Sequence, residues 1–87
     1  QKAAGQPDPF FLWLGPSDPH RPYESQLKAT FRLDAGNLSV PPDLPDTPEV
    51  RADLLDYYAE TARFEQTVAH LIAQLRRAGQ LANTLFI

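Results

Sequence analysis

The stretch FFLWLGPSDPHRPY, residues 10–23, decides how this chain is read. Residues 10–14 are apolar without interruption. An unbroken apolar run of this length suits a strand covered on both faces, as in a parallel sheet. Gly15 and Pro16 end it, so a strand is predicted over residues 10–15, with Trp13 in the core. The polar string that follows holds His20 between Pro19 and Pro22, two residues that restrict the backbone on either side of it. Asp18 is placed to tighten the turn by bonding a nearby backbone N–H.

Working outward, residues 1–9 read as a linker and residues 16–47 as a loop and a proline-stiffened connector, SVPPDLPDTP at its end. All nine prolines fall between Pro7 and Pro48. Thr47 and Pro48 form a helix start: threonine caps exposed N–H groups and proline is tolerated at the first helical position. Glu49 complements the positive helix end. Val50, Leu54, Tyr57, Thr61, Phe64, Val68, Leu71, Leu75 and Ala78 recur at steps of three and four and make one apolar stripe. Asp53, Asp56, Glu60 and Arg63 lie mostly off that stripe and read as a solvated face. The helix is predicted over residues 48–78, with Gly79 as its stop. Residues 84–87 begin a second apolar run, read as a strand.

The order strand, long connection, helix, strand is that of a βαβ crossover in an α/β fold, normally right-handed with parallel strands. Two strands and one helix close no core. The chain is therefore expected to be an internal fragment of a larger domain with a mostly parallel sheet. Its 87 residues point the same way, because a free domain of this size buries only about 60% of its unfolded surface.

Composition narrows the function classes. A net charge of −3 argues against a nucleic-acid partner, which calls for a basic face. There is no cysteine, which excludes a disulfide scaffold and a thiolate metal site within the chain. No run approaches the roughly 20 apolar residues of a membrane span. The N-terminus lacks the pattern of a signal peptide.

His20 stands just beyond the carboxyl end of the first predicted strand, where open α/β sheets bind their ligands. It is the candidate catalytic residue. Arg21 is a candidate anion contact, since guanidinium offers a fork of N–H donors to an anion's oxygens, and its alternative is an ion pair with Asp18 or a neighbouring loop. His70, Tyr57 and Tyr58 read as helix-surface or packing residues.

PFFLWLGPSDPHRPY together with LPDTPEVRADL and AGQLANTLFI, at this distance, resembles the sulfatases of the alkaline-phosphatase superfamily, most nearly the heparan N-sulfatase group. The resemblance spans nearly all of residues 9–87. Glu65 and Ala69 depart from the family pattern at helix positions, which bears on packing more than on chemistry. The resemblance implies hydrolysis of sulfate esters or N-sulfates of sulfated sugars. It implies a formylglycine nucleophile and a calcium ion, both held by residues outside this chain, and a periplasmic, secreted or lysosomal setting. The rest of the sulfatase domain is then the partner of this segment. His20 is the one position that maps onto a family active-site residue, which in relatives faces the sulfate group. Two other readings stay open: a phosphodiesterase or phosphatase of the same superfamily, and a non-enzymatic module that pairs through its amphipathic helix.

Overall fold

The computed structural model describes Gly5 and residues 8–87, so most of the N-terminal linker lies outside the described residues. One long helix organises the rest. A one-turn helix α1 (Leu27–Thr30) and a 3-10 turn (Ala35–Asn37) precede it, helix α2 spans Pro48–Arg77, and a second 3-10 turn (Leu81–Asn83) follows.

The ends of α2 are set by its sequence. Thr47 has extended backbone and its side chain accepts a hydrogen bond from Val50 N–H at 3.3 Å, with Pro48 next in line. At the other end Gly79 takes φ +69°, the left-handed conformation open to glycine. Gly79 N–H then bonds Arg76 C=O and Gln80 N–H bonds Leu75 C=O, the paired arrangement of a Schellman stop. Leu75 is buried where the turn at 81–83 folds back on the helix. Thirty residues give α2 a length of about 45 Å.

The predicted α/β crossover is not what forms. Among the described residues there is no strand. Residues 10–14 and 84–87 carry no regular structure, and the side chains of residues 10–14 and 85–87 are open to solvent. Trp13, read as core, is 83% exposed and Phe11 is 88% exposed. A strand exists only through its ladder of hydrogen bonds to a neighbour. An apolar run supplies the propensity for one but not the partner, and among the described residues no backbone hydrogen bond joins it to another segment.

The faces of α2 are also used differently from the prediction. At about 3.6 residues per turn, Asp53, Asp56, Glu60 and Arg63 line one side of the helix. That side, read as solvated, is where residues 18–28 dock. Glu60 is 1% exposed, and Ala59, on the side away from the apolar stripe, is completely buried. Within the stripe, Val50, Leu54, Phe64, Val68 and Leu71 are half-buried, while Tyr57 and Thr61 are exposed. The molecule is correspondingly drawn out, with a radius of gyration of 18.6 Å against about 12 Å for a compact domain of this length.

Candidate functional site

The loop that carries His20 is built from short-range order and long-range charge. His20 N–H bonds Ser17 C=O at 2.9 Å, closing a turn over residues 17–20. The Asp18-Pro19 and Arg21-Pro22 peptide bonds are both cis. His20 is exposed. Its Nδ1 lies 2.5 Å from the Arg21 carbonyl oxygen, which can only accept. Nδ1 therefore carries the proton, and Nε2 has no hydrogen-bond partner among the described residues. In the neutral ring Nε2 is an acceptor. In the imidazolium it is a donor able to meet an anionic oxygen.

Asp18 is held to the helix, and its carboxylate does not turn back on the loop backbone. Both its oxygens accept from Arg63, Oδ2 from Nε at 2.7 Å and Oδ1 from Nη2 at 2.6 Å. This fork is the strongest common geometry for a carboxylate and a guanidinium. Hydrogen bonding to Arg63 keeps the Asp18 carboxyl below its ordinary pKa, against the opposing effect of burial. The same partners raise the pKa of Arg63, with Asp18 first and Glu24 second.

Two further carboxylates share Arg63. Nη1 donates to Glu24 Oε1 at 2.5 Å, and Nη2 donates to Glu60 Oε2 at 2.6 Å. The remaining oxygen of Glu60 accepts from the Glu24 backbone N–H at 2.7 Å. A carboxylate with 1% exposure is thus satisfied at both oxygens, as burial of a charge requires. Lys28 on α1 sits 2.9 Å from Asp56 Oδ1 but is not aligned to donate, so that oxygen is buried without a hydrogen bond.

Arg21 is occupied as well. Its partner is Asp53 of α2, at 2.6 Å, and neither Asp18 nor a neighbouring loop. Its guanidinium also lies 4.4 Å from the centre of the Tyr23 ring, a cation–π distance. Tyr23, Tyr57 and Tyr58 follow one another edge to face, with centroids 6.4 and 5.6 Å apart. One N–H of Arg21 is engaged with Asp53 and the side chain remains 60% exposed, so other donors face solvent. His70 is exposed on α2, well along the helix from the docked loop.

Arg51 is a structural residue that sequence reading passed over. It forks onto Asp46, at 2.5 and 2.8 Å, and donates through Nη1 to the carbonyls of Ala35 and Leu38. It thereby fastens the connector to the first turns of α2. The signal available was an arginine in a first helical turn, five residues after an aspartate.

No group of three or more His, Cys, Asp or Glu suited to a metal ion occurs among the described residues. Asp18, Glu24 and Glu60 are directed at Arg63, and with no cysteine in the chain these residues do not fit a calcium ion or a cysteine-derived formylglycine. Two open hollows lie nearby. One, of about 340 Å³, is lined by Tyr23, Glu24, Ser25 and Gln26. The other, of about 270 Å³, includes Arg32, Asn37, Leu55 and Tyr58. His20 lines neither. No helix among the described residues is long and apolar enough to cross a membrane.

No protein-family profile matches this chain, and no solved structure matches it. One curated protein does. Human N-sulphoglucosamine sulphohydrolase is 35% identical over 100 residues, a match that takes in 91% of this chain and 20% of the human protein. The chain is thus similar over most of its length to one stretch of a sulphohydrolase, and spans 20% of that relative's length.

Proposed function

We propose that this chain is a segment of a sulfatase-type hydrolase acting on sulfate esters or N-sulfates, most plainly those of sulfated sugars. The observation that carries this is the 35% identity to human N-sulphoglucosamine sulphohydrolase over 91% of the chain. The exposure of Phe11, Trp13 and Leu85, at 88, 83 and 83%, supports a segment whose apolar arms are covered by other parts of a longer protein. In this reading the segment contributes one active-site group and its mounting. Nucleophile and metal belong to residues elsewhere.

His20 is that group. With Nδ1 donating to the Arg21 carbonyl, Nε2 is the atom directed at substrate. An imidazolium there donates to a sulfate oxygen or hands its proton to the leaving oxygen or nitrogen as the bond to sulfur breaks. Arg21 adds positive charge beside it, with N–H groups free for a second sulfate oxygen while Asp53 holds one. Turnover of the sulfated substrate therefore requires His20 and is assisted by Arg21.

The test is substrate choice by the full-length protein. N-Sulfoglucosamine, 4-nitrophenyl sulfate and bis(4-nitrophenyl) phosphate are offered in parallel, and sulfate or nitrophenol release is followed. Sulfate release well above phosphodiester cleavage is expected. Efficient phosphodiester cleavage without sulfate release contradicts the reading in favour of the phosphodiesterase alternative.

A further inference from the structure

Arg63 stands on α2, 43 residues beyond His20 in the sequence, yet the loop is fastened to it on both sides of that histidine. Asp18, two residues before His20, receives the fork from Nε and Nη2 at 2.7 and 2.6 Å. Glu24, four residues after it, receives Nη1 at 2.5 Å. Glu60 then fixes the guanidinium from below, with Oε2 at 2.6 Å from Nη2, and fixes the loop backbone directly, with Oε1 at 2.7 Å from Glu24 N–H. Four of the five N–H donors of one side chain are committed. A lysine presents no planar fork and cannot reproduce this set. His20 itself makes no hydrogen bond to α2: its ring bonds Arg21 C=O and its N–H bonds Ser17 C=O, both within the loop.

We infer that Arg63 is a positioning residue for His20, setting where the imidazole stands by holding Asp18 and Glu24 to the helix without touching substrate itself. Its catalytic consequence rests on the reading of His20 proposed above, whereas the holding of the loop does not. Moving a reacting group by about 1 Å can cost on the order of 10²-fold in rate, so release of the loop is read in kcat.

The test uses the full-length protein and its Arg63→Ala, Arg63→Lys, Asp18→Asn and His20→Ala variants. Amide exchange of residues 17–24 is measured by mass spectrometry, and kcat and KM are measured on 4-nitrophenyl sulfate. Arg63→Ala should exchange at least about tenfold faster over this segment and lose about 10- to 100-fold in kcat, with KM changed less than about threefold. Arg63→Lys and Asp18→Asn keep the helix intact and should show the same pattern in weaker form, the lysine recovering thermal stability before it recovers kcat. Unchanged exchange in these folded variants overturns the holding of the loop. Faster exchange with normal kcat overturns the positioning role. If His20→Ala also retains normal kcat, the failure lies in the functional reading and not in the fastening by Arg63.

Discussion

Glu60→Gln exchanges one carboxylate oxygen for an NH₂ group in the largest fully buried side chain among the described residues. The carboxylate accepts twice, from Glu24 N–H at 2.7 Å and from Arg63 Nη2 at 2.6 Å. An amide has one acceptor oxygen. Whichever way it turns, its NH₂ group faces a second donor, either the Glu24 backbone or a guanidinium. A hydrogen bond to a charged group is worth about 1.5–3 kcal/mol, and stranding a buried donor costs about 1–3 kcal/mol. Partial relaxation leaves an expected loss of about 2–4 kcal/mol in docking of the loop to α2, within the range for breaking buried polar networks. The helix has its own cap and stop, which the substitution leaves in place. Tryptic cleavage after Lys28, on the docked face, reads the opening, and far-UV ellipticity reads α2. Cleavage that follows the open population should accelerate on the order of 30- to 1000-fold, up to the rate of a free peptide, while ellipticity changes little. Acceleration of less than about threefold would refute the claim that this buried carboxylate holds the loop.

Other consequences follow from named contacts. Thr47→Ala removes the cap on Val50 N–H and should cost about 1 kcal/mol, seen as a lower urea midpoint with unchanged slope. Gly79→Ala forces a side chain into φ +69° and should cost about 1–2 kcal/mol, with faster exchange of residues 78–84. Arg51→Lys loses the fork on Asp46 and the bonds to Ala35 and Leu38, so the amides of residues 35–46 should exchange faster while those of residues 17–24 are unaffected. Asp18 has its pKa lowered in the folded state by Arg63, so the free energy it contributes is present above its unfolded value of about 3.9 and is lost as pH falls through the folded value. Protection at Lys28 should be level from pH 7 to about 5 and should fall below about pH 4.

How far the sequence reveals this arrangement depends on the kind of signal each residue carries. Thr47, Pro48 and Gly79 act within one or two turns of the backbone, so the bounds of α2 can be read from them directly. Residues 10–14 carry a signal of a different kind. Their apolarity states that they need cover and says nothing of what supplies it, which is why a strand was expected where the structure has an unpaired, exposed segment. Asp53, Asp56, Glu60 and Arg63 mislead in the opposite direction. Charges at steps of three and four mark a solvated helix face in most sequences, and only the arrival of Asp18, Arg21, Glu24 and Lys28 turns this one into an interface. Each of those contacts spans 28 to 45 residues, with Asp56 and Lys28 the nearest pair and Asp18 and Arg63 the farthest. No local pattern encodes a pairing of that range. His20 could be singled out because two prolines flank it, but the fixing of its tautomer by the Arg21 carbonyl needed coordinates.

The central claim is that His20 serves chemistry and not folding, and the His20→Ala variant of the full-length protein tests it most directly. His20 is exposed and its hydrogen bonds stay within its own loop, so the substitution should cost less than about 1 kcal/mol in thermal stability. On N-sulfoglucosamine kcat should fall by about 10²- to 10⁴-fold, the range for losing a proton donor or an oxyanion partner. A folded variant with near-normal kcat, or one whose melting temperature collapses along with its activity, would contradict the account.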